Sequence, residues 1–147
     1  MVMLYGSYGN TLDEKGRILF PAKLRAVLQE NELMVTQGLD HCLMLFTNEE
    51  WNLINEKIMG SASLFNDQKR LVMRRFIAPA QKIEFDRSGR LSIPQSLREY
   101  AGLKGECKIL GIGKYMELWD AQSYDDYLSR TEDSFAQAAE GMSDILL

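Results

Sequence analysis

One motif occurs twice in this chain. Asp13, Gly16, Arg17, Pro21, Leu24 and Arg25 recur as Asp86, Gly89, Arg90, Pro94, Leu97 and Arg98, each pair 73 residues apart. A fixed internal period means that one supersecondary unit is built twice, which restricts the fold before any single element is assigned. The same spacing aligns Gly38 with Gly111, Leu45 with Leu118, Phe46 with Trp119 and Trp51 with Tyr124. It therefore reads as a duplication free of insertions, with halves 1–78 and 79–147. Within a chain of 147 residues each half is too small to be stable by itself, so a shared core is expected.

Each half reads as the same series of elements. Tyr5–Leu12 and Gln81–Phe85 are strand-like, each leading into a polar turn, Asp13-Glu14-Lys15-Gly16 or Asp86-Arg87-Ser88-Gly89. Asp bonds its own backbone in such turns and Gly accepts positive φ. Second strands follow at Arg17–Phe20 and Arg90–Ile93, which predicts a hairpin in each half. Pro21 and Pro94 suit the first position of short helices, and Gly102 suits a C-terminal stop. Strand pairs are expected at Leu33–Thr36 with Cys42–Phe46, and at Cys107–Leu110 with Tyr115–Trp119. Thr47 and Asp120 cap the helices that follow. A basic amphipathic helix is expected over Asn66–Ile77, and a weakly anchored helix in the tail. The resulting division is a first repeat over 5–58, a linking basic helix over 59–78, a second repeat over 79–128 and an acidic tail over 129–147. The class is α+β, mainly β with short helices.

Charge is uneven although the net value is only −4. Residues 68–98 carry eight Lys or Arg against Glu84 and Asp86, while residues 117–147 carry eight acidic residues against Arg130. Such a distribution suits a polyanion meeting one face while the tail stays away from it. No run approaches the roughly 18 apolar residues of a membrane span, and residues 1–10 lack the pattern of a signal peptide, so a cytoplasmic location is expected. Cys42 and Cys107 lie in apolar strand-like runs without metal-ligand spacing and read as buried, reduced thiols. His41 and Cys42 are adjacent and would point to opposite faces of a strand, so they do not form a nucleophile and base. His41 reads as a turn residue. Asp125 and Asp126 are adjacent on a predicted helix, and no phosphate loop or metal cluster is recognisable, so neither catalysis nor a cofactor is expected.

The duplicated arginines carry more information than the turn around them. A turn needs the Asp and the Gly, but makes no demand for Arg17 or Arg90 after it, nor for Arg25 or Arg98 eight positions later. A two-stranded ribbon is one way into a DNA groove, and Arg reads guanine bidentately. Arg17 and Arg90 are the candidate readers, and Lys15 and Arg87 the candidate phosphate contacts. Asp13 and Asp86 would form the turns or orient the arginines. Arg25 and Arg98 would either pair with acidic residues to fix the hairpin or touch DNA directly.

The stretch TLDEKGRILFPAKLR, its copy DRSGRLSIPQSLR and the chain length together resemble the MraZ family, double-domain relatives of the AbrB-type swapped-hairpin proteins. The resemblance covers about Tyr5 to Leu128. It implies two tandem swapped-hairpin half-domains forming a pseudo-dimeric β-barrel. It also implies a transcription factor of the division and cell-wall gene cluster, binding short direct repeats upstream of its own operon, associated with the nucleoid and assembled as a ring of subunits. By position, the family's DNA-contacting loop falls on Lys15, Arg17 and Arg90. Ser88 stands where the first copy has Lys15, so the first hairpin is expected to be the principal reader, with Arg87 compensating in part. The alternative is an antitoxin-like protein-binding module whose binding segment is the acidic tail. The expected partners are double-stranded DNA and further copies of the chain, with no membrane and no small-molecule substrate.

Overall fold

The computed structural model describes residues 2–61 and 64–146; the parts of the predicted linking segment and tail that fall on Ala62, Ser63 and Leu147 lie outside it, as does Met1. The first half contributes β1 (Leu4–Thr11), β2 (Arg17–Leu19), α1 (Ala22–Val27), β3 (Glu32–Gln37), β4 (Leu43–Phe46) and α2 (Asn48–Ser61). After α3 (Asp67–Val72) and a π turn (Met73–Ile77), the series repeats. The second half holds β5 (Gln81–Glu84), β6 (Arg90–Ser92), α4 (Gln95–Ala101), β7 (Glu106–Gly113), β8 (Met116–Asp120) and α5 (Ala121–Arg130). The tail forms α6 (Glu132–Glu140) and α7 (Ser143–Leu146).

The strands do not pair as two hairpins. They form a six-stranded sheet in the order β1-β7-β8-β4-β3-β5 and a two-stranded ladder of β2 with β6. The first strand of each half lies on the third strand of the other, β1 on β7 and β5 on β3. Within the first predicted hairpin only a Leu12–Ile18 bridge and the turn remain. The hairpins are thus exchanged between halves, as the family resemblance implies. Two further cross-half ladders lie on a local two-fold axis: Met44 faces Glu117 between β4 and β8, and Ile18 faces Leu91 between β2 and β6.

The registers also correct the alignment of the halves. In the ladders Leu33 and Val35 are the counterparts of Cys107 and Ile109, one residue further along than the Asp13-to-Asp86 spacing. The turn contacts agree, since the Leu12 N–H donates to the Gly105 carbonyl as the Phe85 N–H does to Asn31. The extra residue lies before β7, where α4 runs one residue longer than α1 and stops at Gly102 in the left-handed conformation. One fewer residue between Gly111 and Met116 than between Gln37 and Leu43 restores the spacing. Gly111 therefore corresponds to Gln37, and the repeat is not free of insertions.

Alternation along the strands places Leu33, Val35, Leu43, Leu45, Cys107, Ile109, Met116 and Leu118 on one face of the sheet, together with Ile18, Phe20, Leu91 and Ile93 from the ladder side. This single core draws on both halves. The opposite face of the sheet is covered by α2 and the π turn, where Met44, Phe46, Trp51 and Phe76 cluster. Around Trp119, Tyr124 and Tyr127 of α5 provide the equivalent cover. The Thr36 hydroxyl, fully buried, donates to the Phe76 carbonyl at 2.6 Å and fixes the π turn to the sheet. Thr47 and Asp120 accept backbone N–H groups of Glu50 and Ser123, as expected of N-caps. Pro21 and Pro94 sit one position earlier than expected, as N-caps with extended backbone.

Because every first strand completes its ladder on the other half, a fragment of residues 1–78 should fold only by pairing with a second copy of itself. Its unfolding midpoint should rise with concentration. A cooperative transition independent of concentration, from a monomeric fragment, would contradict the exchanged topology.

Candidate nucleic-acid interface

The short segments Arg17–Leu19 and Arg90–Ser92 alternate, and the ladder they form has one dry face and one wet face. Ile18 and Leu91 point into the core at 0% exposure, while Arg17, Leu19, Arg90 and Ser92 share the outer face. Arg17 is opposite Ser92 and Arg90 is opposite Leu19. The two arginines are therefore diagonal neighbours, with Cα atoms about 7–8 Å apart by ordinary ladder geometry. The expected basic ribbon is present, but its two strands come from different halves.

Each arginine is held by the turn that precedes it. Asp13 Oδ1 accepts the N–H groups of Lys15 and Arg17, both at 2.9 Å, while Oδ2 accepts Arg17 Nε at 2.8 Å. Asp86 repeats this with Ser88 N–H at 2.8 Å, Arg90 N–H at 2.9 Å and Arg90 Nε at 2.9 Å. Both aspartates thus close the turn and hold the arginine that follows. The carboxylate engages Nε, and among the described residues no hydrogen bond uses the Nη groups of Arg17 or Arg90. Lys15 and Arg87 are exposed at the two turn tips. Antiparallel pairing puts those tips at opposite ends of the ladder, where the Gly16 carbonyl accepts Ile93 N–H and the Gly89 carbonyl accepts Phe20 N–H.

The structure corrects one expectation for Arg25 and Arg98. Among the described residues neither forms an ion pair. Instead the Arg98 guanidinium lies over Gly16 and the Arg25 guanidinium over Gly89, each covering the turn of the other half. Arg98 Nη1 also donates to the Ile93 carbonyl at 2.5 Å. Gly16 and Gly89 have φ of 78° and 82°, and a Cβ at either would overlap the arginine above it. The only sequence sign of this contact was the identical Arg-to-Arg spacing in the two halves. In all, Lys15, Arg17, Arg25, Arg87, Arg90 and Arg98 surround one ladder against Asp13, Glu14 and Asp86, so the surface is net cationic although the chain is acidic.

The remaining chemistry-bearing residues are elsewhere. His41 has φ of 57° in the β3–β4 turn and stacks on Tyr100, with ring centroids 5.2 Å apart. Cys42 and Cys107 are buried free thiols, pushed up to about 12 and about 11 chiefly by desolvation. Among the described residues no group of His, Cys, Asp and Glu could hold a metal ion, and no helix is long and apolar enough to cross a membrane.

A duplicated, strand-exchanged chain carrying an Asp-tethered arginine on each inner strand defines a pseudo-dimeric swapped-hairpin protein. The family profile described as "MraZ protein, putative antitoxin-like" matches residues 3–75 and again residues 76–146. The chain is 55% identical over 140 residues to a transcriptional regulator MraZ of Treponema denticola, covering 95% of this chain and 97% of that protein. It is 44% identical over 142 residues to a transcriptional regulator MraZ of Treponema pallidum (strain Nichols), covering 97% and 95%. This chain belongs to the MraZ family.

Two outcomes follow from the turn geometry. The Arg17 backbone N–H first, then the Arg17 side chain and the Lys15 N–H, hold the Asp13 carboxyl below its ordinary value of 3.8; Arg90 and Ser88 do the same for Asp86. A carboxyl lowered in the folded state stabilises the fold above its unfolded value, and that contribution is lost as pH falls through 3.8 towards the folded value. The double variant Asp13→Asn, Asp86→Asn should therefore lose stability less steeply between about pH 5 and pH 2, measured by denaturant unfolding at each pH. An unchanged acid limb would show that other carboxylates set it. Separately, Gly16→Ala should cost about 1–3 kcal/mol through positive φ and displacement of Arg98. Combining it with Arg98→Ala should cost less than the sum of the two, and full additivity would show that the two sites do not touch.

Proposed function

We infer that the chain is a sequence-specific DNA-binding transcription regulator whose β2–β6 ladder enters a groove of double-stranded DNA. The observation that carries this reading is the convergence of six cations on one two-stranded ladder, two duplicated arginine pairs with Lys15 and Arg87 at the turn tips. Arg17 and Arg90, diagonal neighbours on the outer face of the ladder, offer their Nη groups to base edges, where Arg reads guanine O6 and N7. Lys15 and Arg87, at the two ends, suit phosphate oxygens and fix the register. Arg25 and Arg98 hold the turns that aim this set. At about 7–8 Å the two arginines are separated by roughly two base-pair steps of 3.4 Å, so both address one short sequence element. Relatives named as transcriptional regulators support the same reading. With its functional groups committed to binding, the protein acts without catalysis, cofactor or small-molecule substrate.

The finer reading follows the family resemblance: a cytoplasmic, nucleoid-associated regulator of the division and cell-wall gene cluster that binds short direct repeats upstream of its own operon. Subunits join as a ring. A ring presents many ladders to successive repeats, which offsets the acidity of each chain and multiplies a weak single contact.

Arg17→Ala should lose about 1–3 kcal/mol per contact and flatten the discrimination between operator and scrambled DNA. Arg90→Ala should do the same, because the two side chains share one surface. Lys15→Ala should weaken both DNAs alike and reduce the salt slope by about one unit. Binding isotherms on preparations with matched melting curves are the measurement. Unchanged affinity in a well-folded Arg17→Ala oligomer would refute the assignment of the ladder.

A further inference from the structure

We propose that the tail helices α6 and α7 of one chain dock into an apolar groove between α2 and α3 of a second copy, and that this contact joins the subunits head to tail. The proposal rests on the oligomeric part of the reading above and names its interface.

The groove has a volume of about 500 Å³. Its floor is Met44 and Phe76, its walls are Ile54 of α2 with Leu71 and Val72 of α3, and its rim is Leu39. Leu39 is 85% exposed and Leu71 54%, so these apolar side chains are left to water in the single chain. Contiguous apolar surface of this kind marks a docking site more often than a scatter of single residues does. Arg75 lines the groove and Arg74 is exposed beside it, and among the described residues neither has an ion-pair partner.

The complementary surface is on the same chain. Along α6 and into the turn that follows, Phe135, Ala138, Ala139 and Met142 fall at i, i+3, i+4 and i+7, which places them on one helical stripe. Phe135 is 75% exposed and Ile145 of α7 77%, and no residue of α6 is buried. Glu132, Asp133, Glu140 and Asp144 accompany the stripe. An acidic, apolar helix therefore faces an unfilled requirement, and a basic, apolar groove has the matching one. Within one chain no residue of α6 or α7 lines the groove, so the pair is left for two copies.

The topology gives the contact a direction. The tail extends the second half, whereas α2 and α3 belong to the first half and its linker. Tail to groove is a heterologous contact, with different surfaces on the two sides. Repeated, it closes into a ring or runs on as a filament. Phe46 and Trp51, packed against Phe76, back the groove from the core side, so its floor is held firmly.

Complementation of two full-length variants provides the test. Phe135→Asp removes the tail's anchor and Leu71→Asp spoils the groove wall; both positions are exposed, so melting temperatures should stay close to that of the unaltered protein. By sedimentation velocity the unaltered chain should form a closed oligomer, and each variant alone should sediment as a 16.8 kDa monomer. Mixed one to one, they should form a heterodimer of twice that mass and nothing larger, because only one intact tail and one intact groove remain. If both variants keep the oligomer of the unaltered chain, this interface is overturned while the ring stands. If the unaltered chain is itself monomeric, the ring and the interface both fall, and the groove is left to its own tail or to another protein.

Discussion

Ile18 and Leu91 face each other without solvent contact at the centre of a ladder that neither half can form alone. The structure depends on that cross-half pairing. A three-residue strand has few hydrogen bonds to offer, and its partner must come from the other repeat. The outer strands β1 and β5 obey the same requirement at the two ends of the sheet. One core therefore serves two repeats, and a chain with only about 70 residues per repeat escapes the poor surface-to-volume ratio of so small a domain.

The exchange also assembles the cationic surface. If β1 and β2 paired within their own half, Arg17 and Arg90 would lie on separate hairpins. Exchanged, they share one outer face, with Asp13 and Asp86 fixing their orientation and Arg25 and Arg98 bracing the opposite turns. Two short peptide segments thus form one surface of pseudo-two-fold symmetry. Preorganisation of this kind reduces the side-chain ordering that binding would otherwise require. It also accounts for how an acidic protein presents a basic surface: six cations are concentrated on one ladder, while the acidic residues of the tail sit on helices beyond α5.

Local features were legible in the sequence because they are decided locally. The Asp-Gly turns, the caps at Thr47 and Asp120, the buried cysteines and the strand positions all follow from residue type and periodicity. Partner choice is different. A turn at Asp13–Gly16 has the same residues whether its strands pair with each other or with another hairpin, and only the family resemblance pointed to exchange. The register of the halves was hidden as well, because the extra residue before β7 is compensated before β8 and leaves the motif spacing intact. Arg25 and Arg98 were recognised as significant, with either acidic partners or direct DNA contact expected of them. Their contacts are glycine turns 64 and 82 positions away in sequence (Gly89 and Gly16), which no helical or strand periodicity reveals.

On this reading the β2–β6 ladder and its turn tips are the surface that meets DNA. A DNA-cleaving iron chelate attached to single cysteines tests it directly, since Cys42 and Cys107 are buried thiols that stay protonated at neutral pH and do not take the label. The chelate is placed at Lys15→Cys or Arg87→Cys, with Glu140→Cys on the tail as the control. Cleavage of operator DNA from positions 15 and 87, at discrete sites within each repeat, and none from position 140, is the expected result. Cleavage from position 140 with none from 15 or 87 would place the DNA on another face of the molecule and contradict the assignment.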